Sequence, residues 1–125
     1  MVFFYLYMGI LILKTLFTAI CIIESSGNPN AINGNAYGIA QIQPNVIADV
    51  NKWGHHYTLN DRLDPYKSEQ IFYIYTSHYI TKLKLDDSIQ NRANIWRYGP
   101  RGRKGRTPYA LKALSLVNKV LKSDL

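Results

Sequence analysis

Glu24 is the residue in this chain around which chemistry can be built. It closes an apolar run, Leu16 to Ile23, and the string Ser25-Ser26-Gly27-Asn28-Pro29-Asn30-Ala31 follows at once. Ser, Gly, Asn and Pro break helices, so the pattern predicts a carboxylate at the C-terminal end of a buried helix. The helix dipole is negative there and the neighbours are apolar, and both disfavour the charged form. A carboxylic acid that holds its proton near neutral pH is what a general acid needs. Position alone favours a plainer reading, a solvated carboxylate paired with a Lys or Arg. The surrounding residues change that balance.

Glu24-Ser25-Ser26-Gly27-Asn28-Pro29-Asn30-Ala31 and then Gly38-Ile39-Ala40-Gln41-Ile42-Gln43-Pro44 resemble the first two signature motifs of the lytic transglycosylases. These are soluble-transglycosylase, lysozyme-like domains related to goose-type lysozymes. Both motifs stand in the family's order and at its spacing. A third stretch, Ala93-Asn94-Ile95-Trp96-Arg97-Tyr98-Gly99-Pro100, resembles the motif A-x-I-W-N-G-G-P, with Arg97 where the family has Asn. Arg cannot replace the acceptor of an amide, and a cation beside Glu24 would work against a general acid. Either Arg97 points outward, or the chemistry is slowed, altered in substrate or lost. The resemblance spans roughly residues 14–110.

The resemblance implies a single Glu that works twice on peptidoglycan. It first protonates the bond between N-acetylmuramic acid and N-acetylglucosamine. It then takes the proton of the muramic C6 hydroxyl, which closes on C1 as a 1,6-anhydro ring. A hydrolase with two carboxylates needs a partner for Glu24, and the residues offer none. Glu69 falls in the first turns of a helix, where an acid complements the dipole. Asp64 and Asp87 have the context of helix caps, and Asp49, Asp61, Asp86 and Asp124 have no motif context. Carried over residue by residue, the resemblance makes Glu24 the acid and base. Ser25 either holds that carboxyl, contacts the muramoyl unit, or caps the helix. Gln41 serves substrate or scaffold, and Tyr37 lines the cleft or the core. Trp96 and Tyr98 would line the groove, and Gly38 would allow close backbone approach.

The elements that must position these residues read as helices. Lys14–Ser25 is a core helix with Leu16, Ile20 and Ile23 at helical spacing. A loop follows, with a short hairpin about Asn33-Gly34 and Tyr37-Gly38. Further helices run from Pro44 to about Lys52 with Val46, Ile47 and Val50 inward, and from Asp64-Pro65 to about Leu83 with Ile71, Tyr75, His78 and Tyr79 on one face. Asp87 with Gln90 resembles a capping box for a helix to Tyr98, stopped by Gly99-Pro100. Arg101 to Arg106 form a mobile cationic loop. Thr107-Pro108 opens a last helix to about Lys122, with Ala110, Leu114, Val117 and Leu121 buried. The fold class is therefore mainly α, a compact helical domain with a short loop or hairpin region after the helix that ends at Glu24, and the resemblance implies that this domain is lysozyme-like.

At 125 residues the chain can bury one core, and its formal charge of +7 favours anionic partners. The cationic loop lacks any nucleic-acid motif, so no specific nucleic acid is expected, and wall polymers are the more natural contact. Cys21 is the chain's single cysteine, which rules out an internal disulfide and fits a small buried hydrophobe. His55, His56 and His78 lack the spacing of a metal site, and neither metal nor cofactor is expected. Residues 1–13 form an uncharged hydrophobic segment before a domain of residues 14–125. That segment extends the helix or acts as an export or anchoring element, leaving membrane association open. The whole reads as a monomeric peptidoglycan lytic transglycosylase acting at the bacterial cell wall, on its periplasmic or extracellular side or in a virion. Size and charge fit a phage or mobile-element setting. The alternatives are a goose-type muramidase, in which Glu24 activates water, and a catalytically impaired wall-binding or virion structural protein of the same fold.

Overall fold

The apolar run and the helix that ends at Glu24 are one element. The computed structural model describes the backbone of residues 2–123 and the side chains of residues 9–123, and α1 runs unbroken through Val2–Ser25. Leu16, Ala19 and Ile20 have no exposed surface. Burial of a Leu or Ile side chain contributes about 1.5–3 kcal/mol, so the second half of α1 is a rod fixed in the core. Cys21 is buried with them, as expected. Burial first, then the charges of Glu69 and Glu24, push its thiol up to about 12, which makes it a hydrophobe and not a nucleophile. Among the described residues no helix is long and apolar enough to cross a membrane. The expectation of membrane association falls largely on residues 1–8, whose side chains lie outside the described residues.

Ser26 and Gly27, at φ 55° and 78°, turn the chain out of α1. Their N–H groups close the helix end on the carbonyls of Ile22 and Cys21, each at 3.1 Å. The expected hairpin follows: β1 (Ile32–Asn33) pairs antiparallel with β2 (Ala36–Tyr37), Ile32 opposite Tyr37 and Asn33 opposite Ala36. The Tyr37 N–H and C=O then bond Ile42 at 3.1 and 3.0 Å, drawing residues 38–41 into a closed loop.

In α2 (Pro44–Lys52), Val46, Ile47 and Val50 are the buried side chains, as their spacing predicts. In α3 (Pro65–Lys82) the Asp64 carboxylate accepts the N–H groups of Tyr66 and Lys67 at 2.9 and 3.2 Å, an N-cap before Pro65. Ile71, Phe72, Tyr75, Thr76 and Tyr79 form its buried side. His78 is half-buried and stacks on Trp53, ring centroids 3.5 Å apart. Asp61 does have a role: its carboxylate accepts the Thr58 N–H at 2.8 Å, half of a capping box on the 3-10 turn Leu59–Leu63.

Asp87 does not cap α4 (Ile89–Tyr98). Ser88 is the cap, its hydroxyl accepting the Asn91 N–H at 3.1 Å. The Asp87 carboxylate is drawn instead to the buried Arg92 guanidinium in a forked pair, 2.6 and 3.0 Å. A charged partner outcompetes a backbone N–H. α4 packs against α1, α3 and α5 (Pro108–Ser123), which makes it the centre of the molecule. The buried face of α5 is built from Ala110, Ala113 and Val117, while Leu114 and Leu121 are half-buried. The cationic loop is largely exposed but touches the domain at several points. Gly102 lies against Ile95 so tightly that a Cβ would come within 2.7 Å of its side chain. The fully buried Asn94 amide donates to the Gly105 carbonyl at 2.7 Å and accepts the Thr107 hydroxyl at 2.6 Å. Arg103 also reaches the Leu83 carbonyl.

Candidate active site

Glu24 sits half-buried on the last turn of α1, at the junction of two surface hollows. One, of about 250 Å³, is walled by Ala36, Gln41, Ile42, Gln43, Val46 and Trp96. The other, of about 440 Å³, is walled by Ile23, Tyr98, Pro108, Tyr109 and Lys112. Glu24 and Arg97 line both, so the hollows are two lobes of one cleft. Among the residues lining either lobe, Glu24 is the single carboxylate. A further apolar hollow of about 360 Å³, between the Gly9–Leu16 stretch of α1 and the start of α4, shares no residue with the cleft. Among the described residues, no three His, Cys, Asp or Glu side chains gather as a metal site.

The Tyr109 hydroxyl donates to Oε2 of Glu24 at 2.7 Å across 85 positions of sequence. Burial first, and then the Glu24 charge, push the Tyr109 phenol far above the usual tyrosine range. Tyr109 therefore keeps its proton and is a fixed donor. Oε1 of Glu24 accepts no hydrogen bond among the described residues. α1 and the first turn of α5 thus hold one oxygen of the carboxyl and leave the other for a ligand. Arg97 is exposed and, among the described residues, not ion-paired with Glu24, but it lines both lobes beside that carboxylate. Its guanidinium stands over the Tyr109 ring, 5.8 Å from the centroid.

The second motif builds the floor of the first lobe. Gly38 has φ 87°, and a Cβ there would stand 1.7 Å from the Arg62 carbonyl oxygen, so only glycine fits the expected close approach. The Gln41 amide donates to the carbonyls of Gly38 and Ala31 at 2.9 and 3.2 Å and accepts from Asn33 at 2.9 Å. Its polar groups serve the scaffold even though its side chain lines the lobe. Trp96 lines the same lobe, and its indole N–H donates to the Ala40 carbonyl at 3.2 Å, linking α4 to this loop.

Of the six residues singled out in sequence, the structure brings Glu24, Gln41, Trp96 and Tyr98 to the cleft and leaves Ser25 and Tyr37 out of its lining. The Ser25 hydroxyl donates to the Ile39 carbonyl at 2.7 Å and accepts the Asn28 N–H at 3.1 Å. It fastens the end of α1 to the second motif. The Tyr37 ring lies under the buried Arg62 guanidinium, 4.1 Å from its centroid. That guanidinium also donates to the Asn35 and Ile42 carbonyls at 2.8 and 3.0 Å. Tyr109 and Lys112 were not found by sequence reasoning. The only local signal was their place in the first turns of α5 after Thr107-Pro108, and Tyr109 is one of ten tyrosines.

The structure is a small, mainly helical domain with one carboxylate closing its first helix, set in a cleft that this helix shares with the hairpin loop, α4 and the start of α5. The chain belongs to the transglycosylase SLT domain family, whose model matches residues 11–90. Membership assigns it to the lytic-transglycosylase type of peptidoglycan-cleaving domains. The matched residues hold Glu24 and the Gly38–Gln41 loop, while Trp96, Arg97, Tyr98 and Tyr109 follow them in the chain. Comparison with curated proteins and with solved structures returned no match.

Proposed function

We propose that the chain is a peptidoglycan lytic transglycosylase in which Glu24 is the only acid and base. The observation that carries this reading is the cleft's single carboxylate, held at Oε2 by Tyr109 at 2.7 Å. Glu24 gives its proton to the glycosidic oxygen. The bond from that oxygen to the muramoyl C1 breaks, and the electron pair leaves with the N-acetylglucosamine unit. The cation at C1 is stabilised by the substrate's own acetamido group. The Glu24 carboxylate then takes the C6 hydroxyl proton, and O6 bonds to C1. The proton lost in the first half is regained in the second, and water is not consumed. A two-carboxylate hydrolase needs a partner for Glu24, and no other carboxylate is among the residues lining the cleft. Trp96, Tyr98 and Gln41 wall the groove on either side of the acid, whereas Ser25 acts by holding α1 to the second motif.

The test is mass spectrometry of fragments released from purified peptidoglycan by the full chain and by Glu24→Gln. Fragments ending in 1,6-anhydromuramic acid, absent with Glu24→Gln, are the expected result. Reducing ends would make the protein a muramidase, and no release by folded wild type would leave a wall-binding module.

A further inference from the structure

We infer that Arg97 and Lys112 form a carboxylate-binding subsite beside Glu24, which selects muramoyl glycan carrying a free carboxylate next to the scissile bond. This rests on the reading of the cleft as a glycan site and names the substrate form that it prefers. The two lobes differ in charge. Apart from Glu24 and Arg97, the lobe walled by Gln41 and Trp96 is lined by uncharged side chains. The lobe walled by Tyr98 and Tyr109 adds Lys112. This second lobe is lined by two cations and a single carboxylate, Glu24.

Both cations are exposed. Among the described residues, the ion pairs are Lys14–Glu69, Lys67–Asp61 and Arg92–Asp87, and Arg97 and Lys112 belong to none of them. Two like charges on one lobe repel, and the single Glu24 carboxylate offsets only one of them. The shape of the guanidinium narrows the choice of anion. The Arg97 guanidinium lies 5.8 Å from the ring centroid of Tyr109, whose hydroxyl holds Glu24, and the planar N–H fork of a guanidinium matches a planar two-oxygen partner. Lys112 adds a point charge to the same lobe. A carboxylate fits this pair.

Muramoyl glycan offers that group from two sources. The lactyl ether on C3 of the muramic ring ends in a free carboxylate wherever the peptide stem has been removed. Where the stem remains, that carboxyl is an amide, and the stem brings carboxylates of its own. An Asn at position 97 would read neither as an anion.

The test is equilibrium binding of tetrasaccharides to the full chain and to Arg97→Asn and Lys112→Gln, measured on a Glu24→Gln background to prevent turnover. The probes are peptide-free muramoyl tetrasaccharide, the same glycan with stems bearing free carboxylates, one with those carboxylates amidated, and a tetrasaccharide of N-acetylglucosamine alone. One carboxylate-bearing probe is expected to bind about tenfold tighter than the uncharged probes, and each substitution is expected to remove that preference. Preference for the peptide-free glycan assigns the lactyl carboxylate, and preference for the unamidated stem assigns the peptide. Equal binding of charged and uncharged probes, or a preference untouched by both substitutions, overturns the inference. Because binding is read without turnover, a failure to find anhydro products would count against the proposed reaction and leave this result standing.

Discussion

In the proposed reaction one carboxyl group gives a proton and then takes one, so it must keep a fixed orientation through both steps. At the scale of single residues, Tyr109 is placed to hold it. Its phenol is the hydrogen-bond donor on Glu24, and burial with the neighbouring charge keeps it protonated. Tyr109→Phe is expected to lower kcat by about 10- to 100-fold, the worth of one hydrogen bond to a charged group. KM should stay nearly constant, because the ring and the lobe that it walls remain. Steady-state kinetics on soluble glycan strands separates the two parameters, and a change confined to KM would remove Tyr109 from the acid's support. Glu24 itself was legible because its signal is local: a helix, a carboxylate and a turn in adjacent positions. Tyr109 was not, because its partner is 85 positions away and nothing in its neighbours marks it. Ser25 and Gln41 stood in recognisable motifs, yet a motif does not say whether a hydroxyl or amide faces ligand or backbone. Here the Ile39 and Gly38 carbonyls take them.

Elements hold the cleft together through two close contacts, and each carries a prediction. The loop after β2 meets the Arg62 carbonyl at Gly38, where a Cβ has no room. Gly38→Ala should cost about 3 kcal/mol from the clash and the left-handed backbone together. In a domain of this size that lowers Tm by about 10 °C, measurable by calorimetry; an unchanged Tm would mean that the loop is free to move. α4 is held to α3 by Arg92, which also donates to the Thr76 and Ser77 hydroxyls at 2.9 and 3.0 Å. Its guanidinium holds the Asp87 carboxyl below the usual carboxylate range. The contribution of this pair is therefore complete above the unfolded value, about 3.9, and is lost as pH falls through the lower folded one. The Asp87 side chain is 59% exposed, so Asp87→Asn should cost only about 1 kcal/mol at pH 7. Urea midpoints of wild type and variant should converge as the pH is taken down towards 2; a constant gap would deny the pair its pH dependence. The helices themselves were legible because Pro44, Asp64-Pro65 and Thr107-Pro108 punctuate them and apolar spacing marks their inner faces. The Asp87 cap was misread because a sequence window shows the N–H groups ahead of a carboxylate but not the buried guanidinium that competes for it. The contact of the Arg101–Arg106 loop with Asn94 was not legible, since Asn94 carries no sign in the sequence of being buried and of donating to the Gly105 carbonyl.

The molecule as a whole is strongly cationic, with a formal charge of +7 on 125 residues, and the placement of that charge matters more than its sum. Arg101, Lys104 and Arg106 are exposed on the loop after α4. Lys104 lies over the Tyr98 ring at 4.9 Å, and Tyr98 walls the cleft. The loop therefore extends the positive field of Arg97 and Lys112 along the rim. A wall polymer carrying carboxylates and phosphates would be drawn to the cleft by this field before any sugar is gripped. Attraction of this kind acts over the Debye length, which shrinks from about 30 Å at 0.01 M salt to about 3 Å at 1 M. KM for intact walls should consequently rise steeply with salt in the wild type. Combining Arg101→Gln, Lys104→Gln and Arg106→Gln should raise KM several-fold at low salt and flatten its salt dependence. At high salt the two proteins should converge, since screening removes from the wild type what the substitutions remove from the variant. Turbidity loss of purified walls across a salt series reads all three expectations. If the two curves ran parallel instead, these side chains would be a solvated surface with no part in capture, and the cleft's own cations would be left as the sole readers of substrate charge.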